Sequence, residues 1–314
     1  MKRLVLPSVS QLMIFVCLSV ACTIAPVSAF ASKVVILQSS NIASYNRTVN
    51  AFLDSLPTSL KQQAHRFSLE GDLQNGNAII EEIRSLDVKL VIAVGLKAAL
   101  VVRQHLSSVP SIFCMVIDPG KYQLTKSHMA GIALEVPFSN QMATLREVLP
   151  RVKRVGVLYN PLKTGRIMEA AKSQAKVIGI ELVPRVVSSE KDVPATLRVL
   201  VPDIDALWLL PDSTVLTADS FHFLLQTTLE ANIPVVGFSS DLVRKGALLS
   251  VHFHYEDVGR QVARLTKKFF KGHKFIPGVI WPPEPLRWAI NLNTANFLDI
   301  AVPPDVLTQF HEMY

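Results

Sequence analysis

The chain has 314 residues, of which 49% are hydrophobic and 18% charged, and a formal net charge of +7. That length suits two ordinary domains rather than one, and the apolar fraction excludes a disordered chain. The positive charge is spread along the sequence without a basic arm or a long run of like charges, which argues against nucleic acid as a partner.

Lys2 and Arg3 precede a short apolar stretch, Leu12 to Ala21, and small residues follow at Ser28-Ala29-Phe30-Ala31. A charged start, a short greasy middle and an A-x-A end are the marks of a secretory signal peptide over residues 1–31, with cleavage after Ala31 or Ala29. The apolar core falls short of the roughly 20 residues that a bilayer span needs. Ser19-Val20-Ala21-Cys22 offers the alternative of lipid attachment at Cys22, although Ser19 stands where a bulky aliphatic residue is usual. Cys17 and Cys22 lie in the removable segment, so Cys114 alone remains and no internal disulfide can form. Cys114 sits in the apolar run Ile112-Phe113-Cys114-Met115-Val116 and reads as an inert core thiol. Export without disulfides suits a soluble periplasmic protein.

From Lys33 onward short apolar runs alternate with amphipathic stretches. Val34 to Leu37, Leu90 to Val94, Ser111 to Ile117, Val155 to Tyr159, Ala206 to Leu210 and Val235 to Phe238 are apolar on both faces, as buried strands of parallel sheets are. Tyr45, Val49, Phe52, Leu53 and Leu56 recur at helical spacing, as do Ile167, Ala171, Ala175 and Ile178, and Val258, Val262, Leu265 and Phe269. This rhythm predicts an α/β protein of right-handed βαβ units with parallel sheets covered on both sides. It weakens near Val136-Pro137-Phe138 and near Arg244-Lys245-Gly246. A Pro-rich segment, Pro277 to Pro285, precedes a last strand-like run at Leu286 to Leu292. Taken as three crossings, these places divide the mature chain into an N-lobe of residues 32–136 plus 244–276 and a C-lobe of 137–243 plus 277–314.

The chain has no G-x-G-x-x-G, no G-K-[ST] loop, no G-x-S-x-G elbow and no H-E-x-x-H. Dinucleotide, P-loop, serine-hydrolase and zincin chemistry each lose their signature. His252-Phe253-His254 puts two imidazoles on one face of a strand, but a metal needs a third ligand and none stands at a compatible spacing. The pair reads as a surface or edge-strand feature, so neither a metal nor another cofactor is expected.

What recurs is a small polar cluster after each expected strand. Ser39-Ser40, Gly95-Leu96, Asp118, Asn160, Asp212-Ser213-Thr214 and Ser240-Asp241 all occupy such places. In open α/β sheets ligands bind outside the carboxyl ends of the strands, where free helix N–H groups converge. These eleven residues are therefore the candidate ligand contacts. The same residue types are ordinary helix caps; as a ligand contact, Asp212 is expected to be needed for ligand-induced thermal stabilisation, so that Asp212→Ala abolishes it and leaves the empty protein's melting point nearly unchanged, whereas equal loss in both states would mark a structural cap.

At these residues the sequence resembles the substrate-binding proteins of ABC transporters, in the group that includes tryptophan- and tyrosine-binding lipoproteins. The matching stretches include Val91 to Gly95 with Ala98-Ala99, Arg154 to Pro161, Leu209 to Val215, Ile233 to Val235 with Gly237, Leu242 to Leu248, Gly259 to Ala263 and Ile290 to Ala295. They cover nearly all of the mature chain in the family's order. The sequence departs from the common pattern at Leu96-Lys97, where a small hydroxyl residue is usual, and in the loop from Ser39 to Asn46, which lacks a histidine. The resemblance implies a type I periplasmic-binding-protein fold: two Rossmann-like lobes joined by three crossings, with no catalysis. It implies a monomer that closes on a small polar ligand, such as an amino acid, and docks on an ABC permease in the inner membrane. Two other readings stay open: a periplasmic sensory protein signalling to a membrane receptor, and a hydrolase or isomerase on the same lobes.

Overall fold

The computed structural model describes residues 34–74 and 76–314. The signal peptide expected over residues 1–31, Cys22 included, lies outside them.

Two sheets form. The first holds β1 (Val34–Gln38), β2 (Ala64–Ser68), β3 (Leu90–Val94), β4 (Ser111–Val116), β5 (Met129–Ala133) and, from far along the chain, β11 (Ile280–Trp281). The second holds β6 (Arg154–Tyr159), β7 (Glu181–Val186), β8 (Ala206–Trp208), β9 (Val235–Gly237), β10 (Leu249–His252), β12 (Arg287–Ile290) and β13 (Glu312–Met313). The helices around the first sheet are α1 (Ala43–Asp54), α2 (Thr58–Lys61), α3 (Gly76–Ser85) and α4 (Leu96–His105). Then come α5 (Phe138–Val148), α6 (Pro161–Ile178), α7 (Val193–Leu200), α8 (Ala218–Glu230) and α9 (Ser240–Arg244). The last are α10 (Tyr255–Phe270), α11 (Leu292–Phe297) and α12 (Pro304–Leu307).

Strand order is β2-β1-β3-β4-β5-β11 in the first sheet and β7-β6-β8-β9-β10-β12-β13 in the second. The first five strands of each sheet thus follow one pattern, the doubly wound 2-1-3-4-5 order. Every described pairing is parallel except that of β10 with β12.

The physical basis is burial on both faces. Val35 and Leu37 of β1 enter one core while Val34 and Ile36 enter the other. In the second sheet Ala206 and Trp208 of β8 face one core and Leu207 the opposite one. Each fully buried aliphatic side chain contributes about 1.5–3 kcal/mol, so these runs fix the sheets.

The expected second crossing moves. Residues 244–246 do not leave the second sheet: Gly246, at φ +119°, turns the chain out of α9 into β10, which pairs with β9 and β12. The chain crosses after His252 instead, and α10 then packs on α1. Gly259 permits that approach, since a Cβ there would lie 2.1 Å from the Thr48 carbonyl oxygen. The third crossing follows β11 at Trp281 rather than starting near residue 277, because β11 pairs with β5. The polar Ser250 and His252 break the apolar pattern of β10, although all four of its residues are buried. The histidine pair is likewise not an edge feature, since β10 has a neighbour on each side.

Two interactions fasten the third crossing to α10. The Gln261 side-chain amide donates to the Pro282 carbonyl at 2.9 Å and accepts from the Glu284 N–H at 3.0 Å. Asp257 of α10, 2% exposed, accepts from Arg260 at 2.5 Å and from Arg287 of β12 at 3.1 Å. Burial alone would raise the Asp257 carboxyl, but the two guanidinium groups hold it below its ordinary value.

Candidate functional site

In each sheet the topological switch point lies beside the first strand, between β1 and β3 and between β6 and β8. The first is filled by its own residues. Ser39 Oγ accepts from the Ala98 N–H at 2.9 Å and so caps α4. Gly95 has φ +88°, and a Cβ there would stand 2.6 Å from both Ser39 Oγ and the Tyr45 hydroxyl; only glycine suits this turn.

The second switch point is a denser network. Asp212, 1% exposed, accepts from the Asn160 N–H at 2.8 Å, from the Thr164 hydroxyl at 2.6 Å and from the Thr214 N–H at 2.9 Å. Asn160 donates to the Thr214 hydroxyl at 3.1 Å and accepts from the Leu162 N–H at 2.9 Å, which caps α6. The carboxylate of Asp212 therefore holds β6, β8 and α6 together. Ser40 and Leu96 are half-buried and Ser213 is exposed, with Ser213 accepting from Lys163 at 2.8 Å.

Asp118 behaves differently. It lies in a turn that follows a register shift between Phe113 and Val116, with Met115 at φ +60° and Asp118 itself at φ +46°. Its Oδ1 accepts from Arg166 of α6 at 3.1 Å, and Lys121 donates to the Leu162 carbonyl at 2.6 Å. Both contacts join the first sheet's loops to the second sheet's helix. Arg166 is 63% exposed, so its ion pair contributes at most about 1 kcal/mol.

A cleft of about 840 Å³ lies where the three crossings meet. Leu134 to Phe138, Phe253 to Glu256 and Ile280 to Pro282 line it from the crossings. Arg47 and Ile117 add to it from the first lobe, and α6, Trp208 to Pro211, Phe238 to Asp241 and Arg244 from the second. Of the eleven residues expected from the sequence, Ser240 and Asp241 line this cleft, and Asp118 and Asp212 adjoin the lining residues Ile117 and Pro211.

The cleft combines aromatic walls with both signs of charge. Trp208 is held by its indole N–H, which donates to Gln141 at 2.7 Å, and by an edge contact with Phe138 at 4.9 Å. Arg47 lies 5.0 Å above the Tyr255 ring. Glu135 accepts from the Asp118 N–H. Burial, helped by the Asp118 charge, pushes the Glu135 carboxyl above its ordinary range, against the pull of that hydrogen bond and of Arg166. Asp241 pairs with Arg244 at 3.3 Å.

Behind Ser240 lies a second polar group that the sequence did not reveal. Glu312 meets His252 at 3.2 Å and His254 at 3.3 Å through one carboxylate oxygen, and its other oxygen accepts from the Tyr314 hydroxyl at 2.7 Å. Burial alone would raise the Glu312 carboxyl, but hydrogen bonds with Tyr314 and Ser240 and the neighbouring His252 bring it down to about 2. Burial pulls His252 below the ordinary imidazole value. Glu312 lies 60 residues beyond His252, so no local spacing could have announced it.

Two mostly parallel sheets with a charged, aromatic cleft where the chain passes between them make the kind of pocket that takes a small molecule. The model of the family described as ABC transporter substrate binding protein matches residues 34–313. The chain belongs to that family. It is 21% identical over 239 residues, 74% of this chain and 69% of the relative, to a protein named Tyrosine-binding protein from Clostridioides difficile. Its fold resembles a ligand-free, open substrate binding protein with adhesive properties from Clostridium difficile, at TM-score 0.74 and 20% identity over 90% of this chain and 98% of that one. It also resembles an ABC domain in complex with L-Trp from Streptococcus pneumonia, at TM-score 0.64 and 21% identity over 90% and 99%. The fold is that of the type I periplasmic binding proteins. No described helix is long and apolar enough to cross a membrane.

Proposed function

We propose that this protein captures an amino acid or closely related zwitterion with an apolar body and delivers it to the permease of an ABC importer. The observation that carries the reading is the make-up of the cleft at the crossings. Phe238, Phe253 and Trp281 offer apolar surface beside Arg47 and Arg244 for a carboxylate and Glu135 and Asp241 for an ammonium group. The ligands named for the relatives, tyrosine and L-Trp, have this chemistry.

The mechanism is closure. A ligand touching both walls binds the closed arrangement better than the open one and shifts the population toward it. On closure Ser40, Leu96 and Ser213 reach the ligand. Ser39, Gly95, Asn160, Asp212 and Thr214 hold those turns in place, and Asp118 steadies the rim through Arg166. The leader at residues 1–31 directs the chain to the periplasm, where it works as a monomer and without chemical turnover.

Titration calorimetry of the mature chain with L-tyrosine and L-tryptophan tests this. Saturable one-to-one binding is expected for at least one of them, with about 2.7 kcal/mol of added stability at a hundredfold excess over Kd. The bound molecule should be recovered unchanged by mass spectrometry. Failure of both to bind would end the amino-acid reading, and chemical conversion would end the binding-only reading.

A further inference from the structure

We propose that His252, His254 and Glu312 form a zinc-type metal site set into the second crossing, beside the ligand cleft. The three donor atoms lie within 4.8 Å of one another. Two of the three edges, His252 Nε2 to Glu312 Oε1 at 3.2 Å and His254 Nε2 to the same oxygen at 3.3 Å, match a tetrahedral first shell. Metal–ligand bonds of about 2.0–2.1 Å at tetrahedral angles separate donors by about 3.3 Å. Two imidazoles and one carboxylate are a donor set that zinc accepts with a fourth position left for water or a ligand.

Supporting contacts of the kind that orient metal ligands are also in place. Ser250 Oγ lies 3.1 Å from the His252 Nδ1, the ring nitrogen that a metal on Nε2 leaves free. The Tyr314 hydroxyl fixes the far oxygen of Glu312 at 2.7 Å and also reaches Ser240 Oγ at 3.3 Å. Such partners fix ring orientation and ligand basicity. Ser250 and His252 are buried in β10, and β13 carries Glu312. His254 is the residue before α10, just past the crossing. A bound ion therefore ties the crossing to the second sheet. Both histidines line the cleft, so the remaining coordination position is reached from there. The site does not depend on which molecule the cleft captures.

The test is zinc titration of the metal-free, tag-free mature protein, with His254→Ala, Glu312→Gln and His311→Ala alongside. His254 has a 43% exposed side chain, so its removal is compatible with folding, and melting points of the metal-free variants check this. One zinc per chain is expected, with affinity reduced at least tenfold in His254→Ala and in Glu312→Gln and unchanged in His311→Ala. Absence of stoichiometric binding, or binding that survives both of the first two substitutions, overturns the proposal and leaves the three residues as a hydrogen-bonded triad.

Discussion

The switch-point turns and the cleft at the crossings are both polar places at the carboxyl edges of parallel strands, yet they use their side chains in opposite ways. At the second switch point Asp212 and Asn160 spend their hydrogen-bonding capacity on each other's surroundings. In the cleft Arg47 pairs with Glu256 at 3.7 Å and Arg244 with Asp241 at 3.3 Å, but these pairs are exposed and weak, so a ligand can take the place of either partner. Polar residues after a strand serve first to end that strand and start the next helix; what is left over, and what the crossings add, is free for a ligand. The contrast can be broken by substitution.

The largest effect is expected at Asp212. Asp212→Ala leaves three buried donors without their acceptor and should lower unfolding free energy by about 3 kcal/mol in urea titrations. Empty and loaded protein should suffer alike, with little change in ligand affinity. Selective loss of affinity, the outcome expected from the sequence alone, would instead move Asp212 into the ligand site.

Asp257 tests the frame of the cleft. Its carboxyl is held below its ordinary value, so its contribution is fully present above about pH 4 and is lost as pH falls through the lower folded-state value. Asp257→Asn should cost about 2 kcal/mol at neutral pH and flatten the acid side of the stability–pH curve. An unchanged slope would show that α10 and β12 are fastened by other groups.

Trp281→Ala should weaken ligand binding about tenfold, or about 1.4 kcal/mol, while stability measured without ligand changes much less. Ser213→Ala should leave the empty protein's stability within about 0.5 kcal/mol and weaken binding about threefold, the loss of one modest hydrogen bond. Cys114 supplies the floor of the scale: burial pushes its thiol up to about 12, so native protein should resist thiol reagents until it unfolds.

These contrasts also explain what the sequence made legible. The strands β1, β3, β4, β6, β8 and β9 announce themselves because both their faces are apolar and buried. β2 and β7 are edge strands with half-exposed faces, carrying His65 and Arg66 in one case and Pro184 and Arg185 in the other. β10 carries Ser250 and His252 into the interior, where a hydrogen bond between the two and one from His252 to the distant Glu312 replace apolar patterning. Ser240 and Asp241 were legible because a turn after a strand is a local feature. Trp281, Phe253 and Glu135 come together from three separate crossings, and their meeting depends on α10 docking against α1 through Gly259. The aromatic-rich run His252 to Tyr255 and the lone tryptophan of the Pro-rich segment were the only local hints.

The most direct test is a crystal structure of the mature protein with the ligand it retains from its native compartment. That molecule should lie between the crossings, against Trp281, Phe238 and Ser240, with the Ser39–Ala98 and Asp212–Asn160 hydrogen bonds intact. A ligand seated away from the crossings, or one bound by Ser39 and Asp212 after those bonds have opened, would contradict this.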